Sequence, residues 1–363
     1  MSPASGKQAL GPGVPRNASI AIVTPAARGS LSGNRVSALR YARLLRGLGC
    51  KPRVLDEWRG EKADLLIVLN AQRCSASVLR ARKARPGMPI VVVVTGTDVY
   101  CHLGTSRRMS QALEIADRVV GLQSDSVRVL PVRFAAKSRA ILQSYDGPRF
   151  KRRTSAAHFD FLVLGHLRPE KDPFRAALAA RRLPANSRVR VRHAGKALSP
   201  AMEKRAQKES AANPRYRWIG ALPRRAALEM LAKAQALILS SRIEGGPGVF
   251  SEALALGVPI LASRIPASES ILSPRHPGLF TLGSTAELAA LMRRVELEPR
   301  FCARLATASR KLAPRFEPAR EQRAWRTLLG ELLAVQRLSS PSRGVRSAHR
   351  VRAVRRGTAA GGR

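Results

Sequence analysis

The sequence predicts an α/β protein made of two parallel, doubly wound domains, and three observations carry that expectation. Short, continuous apolar runs recur at Ser19–Thr24, Leu65–Leu69, Ile90–Val94, Phe159–Leu164 and Leu237–Ser241. Such runs suit strands buried on both faces of a parallel sheet. They alternate with stretches of helical apolar spacing, the pattern of a sheet wound by crossover helices. The alternation stops once, at the polar and basic stretch DGPRFKRRTSAA (146–157), and then begins again. With 363 residues, 45% of them hydrophobic, the chain can fill two cores.

In the first half, strand Ser19–Thr24 runs into a small-residue loop, Pro25–Ser32. A helix is expected over Gly33–Leu48, with Val36, Leu39, Leu44, Leu45 and Leu48 on its buried side and Gly49 as its stop. Val54–Leu55, Leu65–Leu69 and Ile90–Val94 continue the sheet, with a helix over Ser75–Lys83. Ligands on such sheets bind beyond the carboxyl ends of strands. Two loops there have suitable chemistry, Gly29 to Asn34 and Thr95 to Asp98. Gly29 and Gly33 allow close backbone approach, and Asn34 with Arg35 opens the helix whose N–H groups would face an anion. The glycines do not form a G-x-G-x-x-G fingerprint, so a dinucleotide is not implied. Ser32 reads equally as a helix N-cap. Asp98 reads either as a partner of His102 in acid–base work or as a turn residue.

The second series starts at Phe159–Leu164 and leads into the turn Gly165-His166-Leu167-Arg168-Pro169-Glu170-Lys171-Asp172. Helix Arg175–Arg182, strand Val189–His193, a helix near Ala201–Ala212, strand and loop Tyr216–Leu222 and helix Leu228–Ala234 follow. They deliver the chain to LILSSRIEGGPGVFSEALALGVPILASRI (237–265), which reads as strand, polar loop, helix Phe250–Leu256 and strand Val258–Ala262. This turn combines backbone donors at a helix start with two carboxylates, Glu244 and Glu252, seven residues intervening. One lies on the loop and the other inside the helix, an arrangement suited to a ligand with both hydroxyls and phosphates. Beyond it come strand Leu279–Leu282, helices over Glu287–Glu296 and Phe301–Leu312, and a last amphipathic helix, Pro318–Val335, whose Trp325, Leu328, Leu329, Leu332 and Leu333 need a partner surface.

Glu244-x7-Glu252 with Gly245-Gly246 resembles the E-x7-E motif of glycosyltransferases of GT-B architecture, two Rossmann-like doubly wound domains facing a central cleft. The turn at 165–171 resembles the G-R-L-x-x-x-K-G signature of the same enzymes, although His166 stands at the Arg position, Arg168 follows the Leu and Asp172 replaces the Gly. The resemblance implies a UDP-sugar donor site made of Arg168, Lys171, Glu244, Gly245, Gly246 and Glu252. In it Glu252 takes the ribose, Arg168 and Lys171 the diphosphate, the Gly245 and Gly246 amides the phosphate or sugar, and Glu244 the sugar hydroxyls. Arg168, Lys171 and Glu244 are then the catalytic candidates. Cations beside a leaving diphosphate stabilise the charge that grows as the glycosidic bond breaks. The acceptor site is expected on the first domain, at Gly29, Gly33, Asn34, Arg35, Thr97 and Asp98.

A narrower resemblance rests on VTPAARGSLSGNRVSALRYARLLRGLG, VVTGTDVY, LGHLRPEKDPFRAALAAR, NPRYRWIGALPR and SSRIEGGPGVFSEALALGVPILASRIP. From Ile20 to about Leu333 the chain is similar to the selenosugar synthases of selenoneine biosynthesis, which join a UDP-sugar, typically UDP-N-acetylglucosamine, to selenophosphate. An ionised selenium nucleophile needs no general base, unlike a sugar hydroxyl. The alternatives are a GT-B enzyme acting on a thiol, hydroxyl or lipid acceptor, and a non-catalytic anion- or RNA-binding protein on the same fold. The expected organisation is a disordered extension (1–17), an acceptor domain (18–150), a nucleotide-sugar domain (151–316), a crossover helix (317–336) and a disordered Arg-rich tail (337–363).

The formal net charge is +41. Nucleic acid or an anionic membrane is one reading of it. Arg-rich helix surfaces and anionic substrates are the favoured one, because no aromatic-interleaved basic ribbon or specific nucleic-acid motif is present. The four cysteines show no C-x-x-C or Cys/His ligand spacing, and no D-x-D triplet appears, so no metal or other cofactor is expected. The first residues lack a signal-peptide core, and no apolar run approaches the length of a membrane span. A soluble, cytoplasmic enzyme is expected, with its oligomeric state open.

Overall fold

The computed structural model describes residues 14–30, 32–155 and 157–339. Strands β1 (Ser19–Val23), β2 (Lys51–Leu55), β3 (Leu65–Leu69), β4 (Ile90–Val94), β5 (Arg118–Gly121) and β6 (Ser138–Ala140) form a parallel sheet of order β2-β1-β3-β4-β5-β6. Helices α1 (Gly33–Gly47), α2 (Ser75–Ala84), α3 (Thr97–His102), α4 (Arg107–Ile115) and α5 (Ser124–Arg128) connect it. Side chains alternate across the strands. Ile20, Ile22, Leu65, Ile67, Val91 and Val93 pack on one face beneath α1, while Ala21, Val23, Leu66, Val68, Val92 and Val94 pack on the other with Val78, Ala81, Met109 and Leu113.

The second sheet has the order β12-β11-β10-β7-β8-β9 and is also parallel. Its strands are β7 (Phe159–Leu164), β8 (Val189–Ala194), β9 (Tyr216–Trp218), β10 (Ala236–Leu239), β11 (Ile260–Arg264) and β12 (Leu279–Thr281). Around it lie α6 (Arg175–Arg181), α7 (Pro200–Ala212), α8 (Arg224–Lys233), α9 (Gly248–Ala255), α10 (Pro266–Leu272), α11 (Thr285–Leu297) and α12 (Pro299–Leu312). The strand order reverses between β7 and β10, so the loops leaving those two strands open side by side at a switch point.

Helix α13 (Pro318–Ser339) crosses back to the first domain, where Trp325, Leu328, Leu329, Leu332 and Leu333 complete the α1 side of its core. Trp325 packs edge-on against Tyr41, with ring centroids 5.1 Å apart. The buried Arg40 guanidinium and Glu321 carboxylate form a two-pronged pair beside them, and Glu321 also accepts from the Ser144 amide at 2.7 Å. The Tyr145 amide donates to the Phe316 carbonyl at 3.1 Å, so the two chain crossings between the domains are tied together.

Several expectations are corrected here. Leu39 is 44% exposed, because α1 is turned to bury Ala38, Tyr41 and Ala42, with Arg35 and Arg40 each buried against a carboxylate instead. Residues 14–17, expected in the disordered extension, are ordered: Val14 packs on the first core and the Asn17 amide donates to Gly49 at 2.8 Å. Helix α13 runs to Ser339, three residues into the stretch read as tail, and the remainder of that tail lies outside the described residues, as does 1–13. Elements β5, β6, α3, α4, α5 and α10 had no counterpart in the sequence reading.

Candidate active site

The donor-side residues come together at the second domain's switch point. The turn after β7 presents Arg168 and Lys171, and the loop after β10 presents Glu244. The Lys171 ammonium pairs with the buried Glu244 carboxylate, which also accepts from Ser241 Oγ at 2.6 Å. Ser240 Oγ donates to the Asp172 carbonyl at 2.9 Å, and the Arg242 amide to the Glu170 carbonyl at 2.8 Å, stitching the two loops side by side. Asp172 turns the chain in the left-handed region, φ 41°, where the related signature has glycine. Arg168 is half-exposed and lies 3.9 Å from Glu170.

His166, at the position of the signature's arginine, accepts at Nδ1 from the Lys196 amide at 3.1 Å. Beneath it the buried His193 bridges Tyr216 Oη and the Gly165 carbonyl, 3.0 Å from each. Burial pushes the His193 imidazole down to about 4, which keeps it a neutral brace under the turn. A side chain at Gly195 would run into the Gly165 carbonyl, so that glycine lets the adjacent loop pass.

Glu252 sits in α9, on the turn after the Gly-Pro-Gly bend. Its Oε1 lies 3.3 Å from Arg224 Nη2, at the start of α8. Burial raises the Glu252 carboxyl above its ordinary range, Arg224 pulls it down, and Asp146 pushes it up.

Gly245 and Gly246, expected near the donor's phosphate or sugar, make close contacts with the first domain. A Cβ on Gly245 would lie 2.5 Å from the Gly96 nitrogen, and one on Gly246, at φ 146°, would lie 2.5 Å from Leu122 Cβ. Both glycines face the first domain and let the donor loop seat directly against the β4–α3 turn. The adjoining contacts agree: Ser124 Oγ and Ser270 Oγ stand 2.7 Å apart across the domains. Gln143, on the connection between them, exchanges hydrogen bonds with Ser37 of α1, and its Oε1 would lie 3.8 Å from a Cβ on Gly248.

On the first domain, Gly29 (φ 83°) bends the loop after β1, and Ser32 caps α1 by accepting from the Arg35 amide at 3.4 Å. Gly33 is exposed and Asn34 partly so at the helix start. Arg35 is buried, with Nη1 on Asp56 at 2.9 Å and Nε without a partner. Thr97, in the first turn of α3, is partly exposed. Asp98, expected at the acceptor site, is fully buried and accepts from the amides of Ala71, Thr95, Gly96 and Val99 at 2.8–3.2 Å. It shapes the loop that meets Gly245, and its carboxylate does not approach His102, which is exposed on the far turn of α3. Sequence reasoning missed Arg224, Asp146, Gln143 and Ser241, which lie outside both signatures or are too common to stand out.

Among the described residues no group of three His, Cys, Asp or Glu could hold a metal, and no helix is long and apolar enough to cross a membrane.

Residues 149–312 match the family model of glycosyl transferases group 1. Among solved structures, HepE from Anabaena in complex with UDP and glucose is 15% identical, covering 87% of this chain and 100% of its own at a TM-score of 0.68. Sucrose-phosphate synthase from Thermosynechococcus elongatus is 14% identical, over 88% and 100%, at 0.69. The pneumococcal O-GlcNAc transferase GtfA, with UDP and GlcNAc, is 16% identical, over 74% and 57%, at 0.59. At such identities the likeness is one of fold. No curated protein matches the chain in sequence. The chain thus has the GT-B architecture, two facing Rossmann-like domains. Its second domain is the part that matches the glycosyl transferases group 1 model.

Proposed function

We propose that the protein is a UDP-sugar-dependent glycosyltransferase whose acceptor is selenophosphate. The observation that carries the donor half is the Lys171–Glu244 pair at the β7/β10 switch point, with Glu252 following on α9. UDP lies along that line: Glu252 accepts from the ribose hydroxyls, and Lys171 with Arg168 meets the diphosphate. Glu244 anchors Lys171 before the donor arrives and accepts from the sugar afterwards. As the C1–O bond to UDP breaks, negative charge grows on the diphosphate beside two cations, which stabilise that state more than the ground state. The bound UDP in two of the structural neighbours supports this choice of nucleotide.

The acceptor half rests on the resemblance of the first domain to selenosugar synthases and on the chemistry of the α1 entrance. Gly29, Gly33, Asn34 and Arg35 at and just before the start of α1, with Thr97 at the start of α3, are the donors we assign to an anionic acceptor. Selenium attacks C1 as an anion, a C–Se bond forms as the C–O bond breaks, and UDP leaves with the former glycosidic oxygen; water then cleaves the Se–P bond, releasing phosphate and the selenosugar.

Incubation with UDP-N-acetylglucosamine and selenophosphate, read by mass spectrometry, tests both halves. Formation of the selenosugar, UDP and inorganic phosphate is expected. Turnover with a thiol or hydroxyl acceptor and none with selenophosphate would overturn the acceptor, and no turnover with any UDP-sugar would overturn the donor. Asn34→Ala is expected to raise the acceptor KM several-fold and leave the donor KM in place.

A further inference from the structure

Arg224 has no part in either signature, yet it is shared between two carboxylates. Its Nη2 lies 3.3 Å from Glu252 Oε1 and 3.8 Å from Asp146 Oδ1. Asp146 is on the connection between the domains, and its Oδ2 accepts from Arg43 of α1 at 2.8 and 3.1 Å. Charge therefore alternates from the first domain into the donor site: Arg43, Asp146, Arg224, Glu252. Glu252 is the most enclosed of the four, 19% exposed against 53% for Arg43.

We propose that Arg224 is a positioning residue for Glu252, holding its carboxylate ionised and aimed at the donor's vicinal hydroxyls, and that Asp146 moderates this by drawing on the same guanidinium. The proposal rests on the reading of Glu252 as the ribose acceptor. A carboxylate can accept from two hydroxyls only when ionised, and burial alone would favour its neutral form. One cation placed at Oε1 opposes that preference and fixes the rotamer. The charged and titratable groups around Glu252 are Arg224 from α8 and Asp146 and Tyr145 from the connection, with Arg43 behind Asp146. Burial raises the Glu252 carboxyl, Arg224 opposes the rise and Asp146 adds to it, so removal of either neighbour moves its titration in opposite directions.

The test is the affinity for UDP-N-acetylglucosamine, measured by calorimetry from about pH 5 to about pH 8, where this diphosphate diester does not itself titrate. Wild type loses affinity toward acid as Glu252 is protonated. Arg224→Gln should move that loss upward by about one pH unit or more, the scale of a neighbouring charge, and Arg224→Lys should return it toward wild type. Asp146→Asn should move it downward. Opposite shifts are not produced by simple damage to the fold, which circular dichroism monitors. An unmoved midpoint in Arg224→Gln, or shifts of the same sign in both variants, overturns the positioning role. Should wild type fail to bind, or Glu252→Gln bind like wild type at every pH, the donor reading itself falls and takes this proposal with it.

Discussion

Gly96 and Gly245 meet backbone to backbone across the two domains: a Cβ on Gly96 would stand 2.6 Å from the Gly245 nitrogen and 2.8 Å from its Cα. Gly96 is at φ 117°, a conformation that side chains rarely adopt, so it is fixed twice over. The contact brings the loop that bears Glu244 against the loop shaped by Asp98, and so sets how closely the two domains approach there.

Gly245→Ala therefore acts on the facing of the domains more than on either core. Forcing a methyl into such a contact costs about 1–3 kcal/mol. We expect kcat/KM to fall by about ten- to a hundredfold while the melting temperature moves by no more than a few degrees. A large loss of melting temperature with unchanged kinetics would place the role of this glycine in folding instead.

Lys171 and Glu244 should separate stability from binding. Lys171→Ala strands a carboxylate that is 8% exposed, at a cost of about 1–3 kcal/mol, and weakens UDP binding by about tenfold or more. Pairing the change with Glu244→Gln should recover most of the stability and none of the UDP affinity. Calorimetry and urea denaturation on the single and double variants read the two effects independently.

Glu321 is the tie between α13 and the first domain. Glu321→Ala leaves the Arg40 guanidinium buried without its partner and the Ser144 amide without its acceptor. Breaking one side of such a pair costs about 3–5 kcal/mol. The urea midpoint should fall accordingly, and an unchanged midpoint would show that the apolar seam of Trp325, Leu328 and Leu332 suffices to dock the helix.

His193 and His276 give stability a defined acid dependence. Burial lowers each to about 4, below the ordinary histidine value of the unfolded chain, 6.5. Above the unfolded value both states are neutral there and these groups add no pH dependence. As pH falls from 6.5 toward about 4 the unfolded chain takes up protons that the folded protein refuses, so stability declines through that window. Urea denaturation as a function of pH should show the decline, and His193→Asn should make it shallower. An equal slope in the variant would mean that His193 titrates in the fold as it does in the open chain.

Much of the fold was legible because buried parallel strands are continuous apolar runs: Leu65–Leu69, Ile90–Val94 and Phe159–Leu164 coincide with β3, β4 and β7. The basic turn and the paired glutamates were legible as spacing, since both follow directly on strands. Strands β5 and β6 were not, because RVVG and SRA are short and each includes an arginine. The face of α1 was misread at Leu39, since a helix covered by both a sheet and α13 buries a side that periodicity alone assigns to solvent.

The sequence by itself determined the two-domain parallel architecture, the position of the donor signatures and the returning last helix, because each depends on local spacing and on the period of apolar residues. Only the tertiary structure decided what those residues meet. It turned Gly245 and Gly246 toward the first domain, withdrew Asp98 to bind four amides, and set Arg224 and Asp146 beside Glu252. One of these relationships, Gly96 with Gly245, joins residues 149 positions apart along the chain. No local pattern encodes such a pairing, because it is selected by how closely two separately folded sheets can be brought together.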